Sequence, residues 1–233
     1  MSPVTAVPTT TAHTVRVWDL PTRLFHWALV AAVVGLVITG NVGGNAMVWH
    51  LRLGYAVMAL LLFRLCWGLV GGHWSRFASF LYRPARVLAD LRGQATADER
   101  VGHSPLGALS VWAMLLALMA QVGSGLFSDD EIAFFGPLTR FVSYDTVSAL
   151  TSYHKDVGKL VVLALVVLHL LALVVYKLVK RRALVAAMVS GDKALPHEAS
   201  ASRDGWAQRL LALALLLGCV ALVRWVVSLG NAV

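Results

Sequence analysis

Residues 161–176 read VVLALVVLHLLALVVY. Nothing in this stretch but His169 is strongly polar, and the apolar run around it extends from about 157 to 179. Crossing about 30 Å of hydrocarbon takes roughly 20 mostly apolar residues. Only α-helices and closed barrels satisfy their backbone polar groups inside lipid. The run does not alternate apolar and polar residues, so it reads as a helix and not as a barrel strand. An ionisable ring at that depth is costly unless it is paired or ligates something. This one segment therefore points to a membrane protein with a functional histidine.

Working outward, four more runs qualify as spans: 24–43, 50–71, 105–127 and 207–229. The composition agrees, with 58% hydrophobic and 14% charged residues. Soluble domains are about 45–50% apolar and about 25% charged. No low-complexity tract, collagen period or charged heptad array is present. The first run is longer than a signal-peptide core and follows a segment, 1–15, without a basic residue, so it is expected to stay as a span. Cys66 and Cys219 both lie in apolar runs and provide no disulfide framework. Cys-x-x-Cys-His is absent, which excludes covalent c-type haem attachment.

The formal charge of +8 is distributed unevenly. Arg16 and Arg23, the 72–104 connection with Arg76, Arg83, Arg86, Arg92 and Arg100, and the 180–206 connection fall on one side. Arg52, Arg140, Lys155 and Lys159 fall on the other, with the acidic group Asp129, Asp130 and Glu131. The positive-inside rule then places the N-terminus in the cytoplasm and the C-terminus outside. The basic charge follows topology and makes no aromatic-basic stripe for nucleic acid. Two parts are expected: a four-span unit over 1–190, and a mobile linker with a fifth span over 191–233.

Of eight histidines, four attach to the spans. His26 opens the first, His50 opens the second, His154 precedes the fourth and His169 lies inside it. The fourth-span pair is separated by about 22 Å of rise and about 60° of rotation. With the spans running alternately, His50 and His154 meet near the outer surface, and His26 and His169 nearer the inner one. Structural zinc would need a compact set of four ligands. Two imidazoles on opposite sides of a planar macrocycle suit haem iron instead, and the haem would be non-covalent b-type. Gly54 and Gly158 each follow a histidine by four residues, on the same helix face. They leave room for a ring edge or serve helix–helix packing. Arg64, buried in MALLLFRLCWGLV, either neutralises a propionate of the inner haem or snorkels to the surface. Arg52 is placed to serve the outer haem in the same way. Trp18, Trp27, Trp49, Trp67 and Trp74 cluster near span ends and read mainly as interface anchors.

The segments VRVWDLPTRLFHWALV, HLRLGYAVMALLLFRLCWGLVG, GHSPLGALSVWAMLLALM and YHKDVGKLVVLALVVLHL together resemble the bacterial cytochrome b561 family. The resemblance, over about 15–190, is to the branch that includes the b-type cytochrome subunits of nickel-iron hydrogenases. It implies an all-α, integral membrane four-helix di-haem bundle in the bacterial inner membrane, here followed by a fifth helix beyond the family core. It implies His26, His50, His154 and His169 as ligands of two haem b groups. It also implies electron transfer between a periplasmic partner (hydrogenase or c-type cytochrome) and membrane quinone. For such a path the expected exit is a quinone pocket beside the inner haem, which His103 or Arg64 could border. The acidic group is either a solvated turn or a guide for a basic partner. Two other readings stand beside this one: a superoxide:quinone oxidoreductase acting alone, and a haem-free membrane anchor.

Overall fold

The computed structural model describes residues 13–230; the outer limits of the two expected parts, at 1 and 233, lie outside the described residues. Among the described residues, five helices are long and apolar enough to cross a membrane. Helix α1 spans Leu20–Val42 and α2 spans Met47–Val70. The short α3 covers Pro84–Leu91, and α4 covers Pro105–Gly125. A continuous helical stretch follows, formed by α5 (Tyr144–Ser152), a π-helical turn (Tyr153–Gly158) and α6 (Lys159–Leu178). Helix α7 (Leu184–Ser190) and the fifth long helix α8 (Trp206–Gly230) complete the set. The expected spans thus correspond to α1, α2, α4, α6 and α8, with ends shifted by a few residues.

Local chemistry explains the boundaries. Asp19 caps α1 by accepting the Thr22 N–H at 2.9 Å, and Pro21 sits in the first turn, where its missing N–H costs nothing. Gly43 ends the helix at φ +67°, a conformation that suits a residue without a Cβ. Ser104 caps α4 ahead of Pro105 in the same manner.

Antiparallel neighbours build the bundle: α1 packs on α2, α2 on α4, and α4 on α6. Two apolar clusters fill it. One joins Ala32, Val57, Leu61 and Leu115 across three helices. The other joins Phe25, Phe63 and Trp67 to Ala212 and Cys219. The fifth helix therefore lies against α2 and touches α1, although it follows α6 in sequence.

The segment expected as a mobile linker is structured. Strand β2 (Asp192–Leu195) pairs antiparallel with β1 (His13–Arg16), His13 opposite Leu195 and Arg16 opposite Asp192. Arg16 bridges Asp192 at 2.6 Å and Asp204 at 2.8 Å. Burial pushes the Asp204 carboxyl up, but the Leu20 N–H and the Arg209 and Arg16 guanidinium groups more than offset it, leaving that carboxyl below the usual aspartate range. Lys193 reaches the Val101 carbonyl at 2.6 Å. Ser202 donates to the Val17 carbonyl at 2.7 Å. These contacts, over a small core of Val15, Val17, Trp18, Val101, Ala187 and Leu195, weld both parts of the chain into one cap at the N-terminal end of the bundle.

Asp19 is the hub of that end. It is fully buried and accepts from the Trp67 indole (3.2 Å), the Gly72 N–H (3.1 Å) and the Ser75 hydroxyl (2.7 Å), besides capping α1. Trp67 and Trp18 are accordingly buried core residues and not interface anchors, whereas Trp27 and Trp49 are exposed.

Candidate metal centre

His50, in the first turn of α2, and His154, in the π-helical turn, face each other between helices. Their ring centroids are 6.1 Å apart and their planes are nearly perpendicular, at 85°. The π turn matters here. It takes back part of the angular offset that fifteen α-helical residues would accumulate between His154 and His169.

Each ring is held in the same way. His50 Nδ1 lies 3.0 Å from the Leu36 carbonyl, and His154 Nδ1 lies 2.8 Å from the Gln121 carbonyl. A carbonyl only accepts, so in both rings the proton sits on Nδ1 and Nε2 carries the free lone pair. A glycine lies four residues after each accepting carbonyl. A Cβ at Gly40 would stand 3.0 Å from His50 Cε1, and one at Gly125 would stand 2.9 Å from His154 Cε1. The pattern of carbonyl, glycine one turn later and histidine from a neighbouring helix thus occurs twice. Ligating histidines are oriented by just such bonds from the second ring nitrogen.

Both rings line a cavity of 460 Å³. Gly54 lines it as well, and a Cβ there would meet open space, in keeping with room left for a flat ligand. Gly158 is different. It is buried, and a Cβ there would overlap the Gln121 side chain, so it serves α4–α6 packing and is not part of the cavity wall. Arg52 is exposed over the Trp49 ring, 5.0 Å from its centroid, and does not line the cavity. Lys155 and Lys159 do line it.

Of the second histidine pair, His26 is half-buried in α1 and His169 half-buried in α6, close enough to interact electrostatically. His26 Nδ1 is buried without a hydrogen-bond partner. Arg64 is 3% exposed and does not snorkel. It stacks over Phe77 at 4.7 Å and Phe80 at 5.9 Å. His103 sits between Trp18 and Phe80, each 4.6 Å away.

Among the described residues no group of three or more His, Cys, Asp or Glu side chains could hold a metal ion. Two imidazoles fit a metal that brings its other ligands with it. A metal–imidazole bond is about 2 Å, so two rings gripping one ion from opposite sides have centroids about 6 Å apart. The observed 6.1 Å matches that spacing. The free lone pairs on Nε2 and the apolar walls complete the fit to an iron porphyrin.

The loop after α4 was legible only in part. Asp130 accepts the N–H groups of Ile132, Ala133 and Phe134, and Glu131 accepts from the Tyr144 hydroxyl at 2.9 Å. The acidic group is thus a hydrogen-bonded turn. Gly40 and Gly125 escaped the sequence reading. Their signal was a glycine inside a span at the depth of a histidine on the neighbouring helix.

Fold and site together define the class: a multi-pass helical membrane protein whose interior presents paired imidazoles to a cavity. The chain belongs to the prokaryotic cytochrome b561 family, whose model matches residues 17–191. It is similar to the probable Ni/Fe-hydrogenase B-type cytochrome subunit of Bradyrhizobium diazoefficiens, 23% identical over 77% of this chain and 86% of that one. It is also similar to the corresponding protein of Azotobacter vinelandii, at 27% over 76% of this chain and 87% of the other. The probable Ni/Fe-hydrogenase 1 B-type cytochrome subunit of Escherichia coli K12 matches at 25% over 55% and 67%. No solved structure matches. The protein is a b-type cytochrome of electron transfer in the inner membrane, and its prosthetic group is haem b.

Proposed function

We propose that the chain is a di-haem b-type cytochrome that carries electrons across the cytoplasmic membrane between a periplasmic redox partner and membrane quinone. His50 and His154 would hold one haem, and His26 and His169 the other. The facing His50 and His154 rings, each with Nδ1 engaged and Nε2 free, carry this reading. The second pair rests on less: its position on α1 and α6, its mutual proximity and the orphaned His26 Nδ1.

When bound, haem supplies a one-electron iron couple inside an insulating layer. The chain's own work is to hold and to tune. The Leu36 and Gln121 carbonyls fix the tautomer of their histidines and raise the basicity of the opposite nitrogen. Gly40 and Gly125 let the Cε1–Nδ1 edges of those rings approach α1 and α4 closely. Val33, Leu118 and Val162 supply apolar wall for the ligand's ring system.

The charge distribution supports a cytoplasmic N-terminus and a periplasmic C-terminus. The His50–His154 pair then lies toward the periplasm. The names of the relatives support a hydrogenase as the periplasmic partner; a c-type cytochrome is the other candidate. A second reading, superoxide oxidation at the outer centre, would draw on Lys155 and Lys159 in the cavity wall, which they share with Asp129, Asp130 and Asp156.

Haem stoichiometry of the purified protein, with reduced-minus-oxidised spectra, tests the proposal. Two low-spin b haems per chain are expected. One haem, or colourless protein, refutes it. Superoxide consumption by the isolated protein would select the second reading.

A further inference from the structure

Arg64 makes no hydrogen bond to any described residue, although its side chain is buried inside the bundle and its Nη1 is fully enclosed. It has the faces of Phe77 and Phe80 and a longer-range attraction to Asp19. Asp19 itself is already saturated by four donors. Two further buried polar atoms beside this guanidinium are equally unpartnered: Trp112 Nε1 and His103 Nδ1. The aromatic rings tie the three together, since Phe77 lies 4.7 Å from Trp112, and Phe80 lies 6.0 Å from Trp112 and 4.6 Å from His103.

Buried polar groups in native proteins are almost always satisfied, and a lone buried charge is the costliest exception. Three such groups around one aromatic pocket indicate a missing acceptor. The cation fixes its sign: the ligand is an anion or carries one. Arg64 and the indole N–H can only donate, which suits a carboxylate.

Depth identifies the carboxylate. Arg64 lies six residues from the end of α2 at Val70, and Trp112 seven from the start of α4 at Pro105. At 1.5 Å per residue both stand about 9–11 Å inside the N-terminal end of the bundle. His26 stands six residues inside α1, at the same level, about 9 Å deep. His169 stands nine residues from the end of α6, at about 14 Å.

We infer that Arg64, Trp112 and His103 form the carboxylate-binding site for a propionate of the haem held between His26 and His169. The inference rests on the di-haem reading above and adds the residues that neutralise the inner haem's acid side chain. Arg64 supplies the charge, and Trp112 supplies a neutral N–H. His103 supplies a ring nitrogen whose neighbours Trp18 and Phe80 exclude water. Arg64 is then a tuning residue for the inner couple, because a cation near the iron favours the reduced state.

Redox titration and resonance Raman spectroscopy of purified holoprotein test this. In R64L the midpoint potential of one haem is expected to fall while the other holds, and the propionate-bending bands of the affected haem shift. R64K should restore most of the potential. W112F, which keeps the aromatic volume and removes one donor, should shift the same bands by less. It guards against a folding defect in R64L. Potentials and bands unchanged in both R64L and W112F, with two haems retained, overturn the carboxylate site and leave the di-haem reading intact. Unchanged bands with impaired quinone reduction also overturn it, and assign the pocket to a quinone carbonyl. A wild-type content below two haems overturns the di-haem reading, and this site falls with it.

Discussion

Replacing Gly125 with alanine introduces one methyl group at the most crowded point of the metal centre. The added Cβ would lie 2.9 Å from His154 Cε1 and 3.2 Å from Nδ1. Carbon atoms rest at about 3.5–4.0 Å, so the ring must retreat by about 0.6 Å or more. That movement stretches the 2.8 Å bond between Nδ1 and the Gln121 carbonyl. It then lies at about 3.4 Å, beyond the usual range for an N–H···O bond. A hydrogen bond of this kind contributes about 0.5–1.5 kcal/mol net. Losing the partner that orients a ligating histidine ordinarily costs about 10–100-fold in affinity. The expected result is a weakened or lost outer haem, with the inner haem retained. G40A, where the Cβ would meet His50 Cε1 at 3.0 Å, should act on the same haem. Haem per chain and the potential of each haem, measured after detergent purification, provide the assay. If both variants carry two haems with wild-type potentials, the two histidines are not held as described.

H169A should lose one haem and keep the other, since the two pairs stand at different depths; loss of both from a folded protein contradicts independent pairs, and haemochrome stoichiometry decides. D19A strands the Trp67 indole and the Thr22 and Gly72 N–H groups in a buried site. At about 1–3 kcal/mol for each unsatisfied donor, a loss of about 3 kcal/mol or more is expected, seen as a lower Tm in nanodiscs. The Asp204 carboxyl, held below its ordinary range, stabilises the cap at neutral pH. Its contribution begins to fade as pH falls below about 4, the unfolded value, and disappears once the folded value is passed. Limited proteolysis across 195–206 should therefore speed up in acid. D204N should show the fast rate already at pH 7.

The spans were legible because burial in lipid imposes length and composition on a helix, whatever its neighbours. The histidines were legible because a ring such as His169 has no cheap reason to lie in an apolar run. What escaped were features set by contact between distant segments. The pairing of β1 with β2 joins residues nearly 180 positions apart, and neither strand alternates strongly enough to announce itself. The linker from 191 read as mobile, while its Asp192, Lys193 and Asp204 have fixed partners. Trp67 read as an interface anchor because its indole partner, Asp19, sits 48 residues earlier. Gly158 and Gly54 occupy the same spacing from a histidine, and only packing separates the one filled by Gln121 from the one facing open space. The π turn at His154 has no sequence signal that we recognise.

The strand pairing between the two termini of the four-span unit also dictates an order of events during synthesis. β1 leaves the ribosome ahead of the first long helix, yet its sheet partner among the described residues emerges after four long helices have been made. Until then Arg16 has neither Asp192 nor Asp204 to hold it. The last helix then returns to lie beside the second. Closure of the cap and docking of α8 are late steps of biogenesis, and a chain released before residue 192 would display an unmated strand edge to the quality-control machinery.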